Sequence, residues 1–199
     1  MSQASAKPRR APRESAFQER FAVFAECLLT GVWIAVAALG LVTYPAAFAA
    51  GARHLRRVTD HEGGGLREFA ADFRTAVRRG WLVGLAGWAV TAAVVVDVLA
   101  VRAGLPGGSF AGAVGVLALI ALAVAGLRAA AVWEPGAAWR ELLAAAGRRT
   151  VLDPAGSFLL VGGLAVTVCS AWFAAPLAVP VLGAVTAAAV AVEKRYRHR

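Results

Sequence analysis

Ionisable side chains within or at the edge of long apolar runs include Glu26, Asp97 and Arg102, with Arg128 at the end of the third run, toward the opposite face. A charge near the centre of a membrane helix costs about 2.5–3.5 kcal/mol on insertion scales, so each requires a physical reason. As a functional set, the two carboxylates would make an ion or proton site. As a structural set, they would snorkel at a span end or pair with Arg102, which lies toward the same face in an alternating five-span order. His54, Asp60, His61 and Glu62, in "HLRRVTDHE", form the one cluster of metal-ligand residue types. It lacks an HExxH-type spacing, and neighbouring arginines raise the cost of a cation, so it reads as a solvated juxtamembrane loop. No metal or other cofactor is expected. Nor is enzymatic activity, because no GxSxG, Walker A, CxxC or strand-flanked GxGxxG motif occurs.

The elements that must carry these residues are membrane helices. Of 199 residues, 59% are hydrophobic and 17% charged, with a mean hydropathy of +0.65, far from the soluble average. The fold class is all-α, a polytopic bundle of about five transmembrane helices with two interfacial amphipathic helices. Spans are expected at 22–43, 81–101, 110–132 and 156–175, near the roughly 20 residues that cross a bilayer core. A fifth, 177–192, is shorter and follows Pro176. The fallback is four crossings, with the first run re-entrant or interfacial. Residues 1–17 read as a disordered basic tail and 18–199 as a single transmembrane domain. "AFA" at 47–49 mimics a signal-cleavage site, but the apolar run is longer than a signal peptide's roughly 7–15 residues. Cys27 and Cys169 read as small buried hydrophobes.

Between spans the period changes. Leu66, Phe69, Ala70, Phe73, Ala76 and Val77 share one helical face, with Arg67, Glu68, Asp72, Arg74 and Arg78 on the other. This predicts an amphipathic helix over 66–79, in the interface and leading to Trp81. A second is expected over 138–149, with Trp133 and Trp139 interfacial and Arg148 and Arg149 following as Arg78 and Arg79 follow the first. The order span, break, amphipathic helix, paired arginines, span therefore occurs twice, which suggests a parallel repeat; chance similarity of membrane hairpins explains it equally. "GLPGGS" at 104–109 reads as a tight turn.

Net charge is +9 and the isoelectric point about 11.1. The charge flanks the spans and no base-reading motif occurs, so anionic lipid head groups, not nucleic acid, are the expected counterpart. Arg78, Arg79, Arg148 and Arg149 are the candidate lipid or partner contacts, the partner being a membrane transporter or another membrane protein. With five alternating spans, the richer side carries the loop 51–80, the loop 133–154 and the C-terminus, which the positive-inside rule makes cytoplasmic. The basic N-terminal tail then falls outside, an awkward result that the four-crossing arrangement removes.

Within "LVTYPAAFAAGARHLRR", residues 41–57, Pro45 deletes a helical hydrogen bond and predicts a kink, with helix continuing to about Val58 and Thr43 able to satisfy a freed carbonyl. Trp33, "VTYPAAFAA" (42–50), "RHLRR" (53–57), "DHEGGG" (60–65) and "FAADFRTAVRRGW" (69–81) together resemble the YesL-like family of small bacterial membrane proteins. Tyr44 stands before Pro45 where that family tends to have Gly, and Thr30 is the nearest match to a polar residue before the Trp. The resemblance covers roughly residues 22–81. It implies a five-span plasma-membrane protein, often encoded beside carbohydrate ABC importers, with no catalytic residues to carry over.

Overall fold

In this computed structural model the described residues are 12–103 and 108–197, with backbone alone for 12–20, 108 and 109. They form seven α-helices: α1 Pro12–Ala38, α2 Tyr44–Thr59, α3 Leu66–Arg102, α4 Gly108–Ala131, α5 Trp139–Leu152, α6 Pro154–Phe173 and α7 Ala175–Arg197. Five of them, α1, α3, α4, α6 and α7, are long and apolar enough to cross a membrane. Tail residues 1–11 lie outside the described set, as do 104–107 of the expected turn; residues 12–17, expected in the tail, are helical.

Around Pro45 the chain breaks and turns back, where the sequence suggested a kink. α1 stops at Ala38, and Leu41 takes a left-handed backbone at φ 56°. Pro45 sits in the first turn of α2, where a missing N–H costs nothing. α2 then runs antiparallel to α1: Gly51 packs on Ile34 and Thr30, and His54 reaches Glu26. Freed carbonyls at the break find partners. Thr43 Oγ1 donates to the Ala37 carbonyl at 2.6 Å, and Trp88 Nε1 of α3 donates to that of Leu41 at 2.9 Å. The second carbonyl is the one Pro45 would have faced in a continuous helix, so this acceptor finds its donor on α3.

The hairpin tip does not reach the far end of α3. Val42 meets Gly84 and Tyr44 meets Gly87, and α3 continues 14 residues past Trp88, about 21 Å at 1.5 Å per residue. α2 is the enclosed centre of this end, with nine of its 16 residues buried. Its Ala46, Ala47, Ala49, Ala50 and Gly51 let neighbouring helices approach closely. One core cluster joins Ala52 to Val124, Leu127, Leu160, Val185 and Ala189. Another joins Ala46 and Ala49 to Ala76, Ala130, Trp133 and Trp139.

The first amphipathic segment is continuous with the second span, one helix of 37 residues. Phe69 and Ala76 are buried as its period predicts, whereas Leu66 is exposed and Asp72 is buried. Trp133 and Trp139 are also buried, stacked with ring centroids 6.4 Å apart, and do not lie against lipid. Cys27 is half-buried and Cys169 exposed; on a membrane helix an apolar thiol can face lipid, so apolar surroundings do not imply burial. The parallel repeat fails on direction. α1 and α3 run the same way because α2 returns between them, whereas α4 and α6 run oppositely.

Helix ends gather by charge. The start of α1, the ends of α2, α4 and α7, the starts of α3 and α6, and all of α5 lie at one end of the bundle. Among the described residues, Arg102 is the one Lys or Arg at the other. Both termini of the described chain therefore lie at the same end. Lipid-facing surface is apolar, with Leu82, Leu85, Val96, Leu117, Phe158 and Val168 exposed.

The tightest crossing is between α1 and α7, where a Cβ on Gly183 would stand 1.8 Å from the Cys27 carbonyl oxygen. Gly183→Leu should therefore lower the thermal unfolding midpoint in detergent through a strain of at least about 1–3 kcal/mol. Gly162→Ala, into space with nothing within 4 Å, should leave the midpoint unchanged or slightly raised; equal effects would show that the crossing is not tight.

Candidate functional site

Arg128, three residues from the end of α4, is fully buried. Such a guanidinium is tolerable only if its donors are paired. Nη1 donates to Glu193 Oε1 of α7 at 3.0 Å, and Nη2 to Asp153 Oδ2 at 3.0 Å, to the Asp153 carbonyl at 3.2 Å and to Ser157 Oγ at 3.3 Å. Nε has no partner. Glu193 also accepts from Arg149 Nη1 of α5 at 2.6 Å, and Arg195 lies 3.5 Å from Asp153 Oδ1. Asp153 is at once the C-cap of α5 and the N-cap of α6, accepting from the Gly156 amide at 3.3 Å. Pro154 begins α6 directly after it. The two helices meet without a loop, which brings α5 within reach of α7.

A second charged group fastens α2 to α3. Arg53 Nη1 donates to Asp72 Oδ1 at 3.1 Å. Arg57 Nη1 lies 2.9 Å from Oδ2, close enough for an ion pair though out of line for a hydrogen bond. Arg56 donates to the carbonyls of Ala131 and Trp133, the latter at 2.6 Å, a cation at the negative end of α4.

His54 belongs to α2, not to a solvated loop, and is 1% exposed. Its Nε2 is 3.2 Å from Glu26 Oε2, with the Nε2–H tautomer donating. The ring stands edge-on to Trp33, which packs on Phe69, and Nδ1 has no partner. Asp60, His61 and Glu62 are exposed at the following turn. No group of three or more His, Cys, Asp or Glu suited to a metal occurs among the described residues.

The expected site residues are thus redistributed. Glu26 pairs with His54 instead of Arg102. Asp97 is half-buried between α3 and α4, its Oδ2 3.1 Å from a Cβ built on Gly115. Among the described residues, neither carboxylate has an ion pair with Arg102, and the two belong to different helix pairs. Thr43 and Pro45 act at the hairpin, as above. Arg78 and Arg148 are exposed. Arg79 donates to the Gly136 carbonyl at 3.2 Å, and Arg149 turns inward to Glu193. Sequence reasoning missed Arg128, Asp153 and Glu193 as a set; the one available signal was three charges bordering apolar runs close to helix ends.

Comparison with known proteins finds no family model, no curated protein and no solved structure that matches the chain.

Burial pushes the Asp153 carboxyl up, but the Arg128 hydrogen bond, the Gly156 amide and the charges of Arg128 and Arg195 together hold it below the ordinary carboxylate value. A folded pKa below the unfolded one gives stability that is complete above the unfolded value, about 3.9, and is lost as pH falls through the folded value. The unfolding midpoint should therefore fall as pH is taken below about 4, and less steeply in Asp153→Asn. An identical pH profile in both proteins would exclude this contribution.

Arg128→Met leaves two buried carboxylates with Arg149 and Arg195 as their remaining cations and should cost about 3–5 kcal/mol. Adding Asp153→Asn and Glu193→Gln should recover part of that loss in the same melting assay. A triple variant less stable than Arg128→Met would show that the carboxylates are not bound to Arg128.

Proposed function

We propose that this chain is a non-enzymatic accessory or regulatory protein of a bacterial plasma membrane. Its basic end faces the cytoplasm and contacts anionic lipid head groups or a partner membrane protein. The observation that supports this is the charge asymmetry, with every Lys and Arg between residues 12 and 197 except Arg102 on a segment at one end. The return of α2 puts the start of α1 at the same end as the last turn of α7, which supports an arrangement without the orientation conflict met in the sequence. Many of the cations at that end are spent internally. Arg67, Arg74, Arg78, Arg140 and Arg148 are exposed, and these are available to a charged surface. The likeness of residues 22–81 to YesL-like proteins adds an association with carbohydrate uptake, on resemblance alone.

A second reading, a small transporter or ion-conducting protein, was framed on Glu26 and Asp97. Its support is now the Glu26–His54 contact, since Asp97 packs elsewhere.

Three measurements test these readings. A reporter active only in the cytoplasm should signal from either terminus; opposite signals would overturn the shared side. Lipid co-purifying with the protein should be enriched in phosphatidylglycerol over the bulk membrane. That enrichment should be largely lost in Arg67→Gln/Arg74→Gln/Arg78→Gln/Arg148→Gln, given roughly 1 kcal/mol per surface cation; an unchanged ratio removes the basis of lipid contact. In proteoliposomes no flux sensitive to Glu26→Gln is expected, and one that this change abolishes would replace the accessory reading.

A further inference from the structure

At the basic end, a cleft of about 290 Å³ opens where the last turns of α2, α4 and α7 meet. Arg56, Lys194 and Arg197 bring three cations to its wall, and Ala131, Val132 and Val190 give it an apolar side. Two acids also line it, Asp60 and Glu193. Glu193 is committed to Arg128 and Arg149. Asp60 holds Lys194 at 3.3 Å, but both side chains are more than half exposed, and such pairs are worth about 0–1 kcal/mol. Lys194 is therefore free to exchange partners. Arg197 has neither an ion pair nor a hydrogen bond among the described residues. Burial works against the charge on Arg56, which Glu134 and Asp60 favour and Arg197 and Arg53 oppose. The cleft holds more positive charge than its own acids satisfy, with one guanidinium fork unspent.

We propose that this cleft binds a phosphate group, that of an anionic phospholipid, with Arg197 and Lys194 on the phosphate oxygens and the Ala131, Val132 and Val190 side against the glycerol and first acyl carbons. Phosphate fits because a guanidinium donates two parallel N–H bonds to paired oxygens, and an ammonium supplies a second charge from another direction. Basic pockets between membrane helices on the cytoplasmic side recognise lipid head groups in this way. Arg56 contributes charge while its donors remain on the α4 carbonyls. The proposal rests on the cytoplasmic placement of the basic end given above and adds one saturable site to its diffuse lipid contact.

The test is a calorimetric titration of the full chain in neutral detergent with short-chain phosphatidylglycerol and, separately, with inorganic phosphate. Phosphatidylglycerol should saturate at one per chain, and Lys194→Gln/Arg197→Gln should weaken it about tenfold or more, the loss of at least one charge-assisted hydrogen bond. Arg102→Gln, exposed at the opposite end of the bundle, should bind as the parent does. Phosphate competing at the same site would support the cleft as a site for the free anion as well as the lipid, and a lack of competition would support recognition of the intact lipid. Equal affinity in the parent and in Lys194→Gln/Arg197→Gln overturns the proposal, as does the absence of a saturable site. If phosphatidylglycerol still co-purifies in excess in either of those cases, the cleft alone is wrong and the basic-surface reading stands.

Discussion

The full removal of Arg128 from solvent constrains the rest of this bundle. A guanidinium without exposure needs acceptors in several directions, and no single neighbouring helix can supply them. They come from α7 through Glu193 and from the α5–α6 junction through Asp153 and Ser157. That demand ties the register of α7 to that of α4 and puts the break between α5 and α6 at Asp153. It also accounts for Gly156, where a Cβ would stand 2.1 Å from Asp153 Oδ2 and 2.7 Å from Arg128 Nη2. A buried ionic cluster of this kind is weak evidence of net stability and better evidence of specified geometry, because an altered register would strand charge.

The hairpin of α1 and α2 meets a different constraint, that of the backbone. A chain reversing within a protein bundle leaves carbonyls that water does not reach, and a lipid-facing break would be intolerable. Here the Leu41 carbonyl, Val42 and Tyr44 lie against α3, while the Leu39 and Leu41 side chains stay exposed. Gly84 admits the Val42 carbonyl, Gly87 admits the Tyr44 ring, and the Trp88 indole supplies a hydrogen bond. Three positions spaced along one stretch of α3 thus serve a loop more than forty residues earlier. Together with the Asp72 ion pairs they make α2 and the first half of α3 one mechanical unit.

The five apolar helices, the helix class and the basic end were legible because each depends on local composition: an apolar run of membrane length reads the same wherever it packs. α2 was not legible as a buried return helix. It is Ala-rich and carries three arginines and a histidine, so its apolar content is low, and enclosure depends on partners distant in the chain. Pro45 signalled a break, but the angle that followed depended on Gly84, Gly87 and Trp88. The charged pairs were misassigned for the same reason. Glu26 was matched with Arg102 by counting faces in an alternating order, and the return of α2 changed which residues share a face. Trp133 and Trp139 show the limit of a membrane rule, since the preference of tryptophan for interfaces does not distinguish the lipid side from the protein side.

Both kinds of cation at the basic end arise from one requirement. Positive residues gathered on one side orient the chain, but a membrane bundle must also be fastened at that side, where helix ends leave carbonyls unpaired. Arg56 fastens by capping α4, Arg53 and Arg57 by holding Asp72, and Arg128 and Arg149 by holding Glu193. Each of these uses an acid or a carbonyl, so the acids inside the bundle are consumed by structure. Among the described residues, Arg67, Arg74, Arg78, Arg140 and Arg148 have neither an ion pair nor a hydrogen bond and project outward. The division of labour therefore follows from the placement of the few buried acids, and net charge alone does not reveal it.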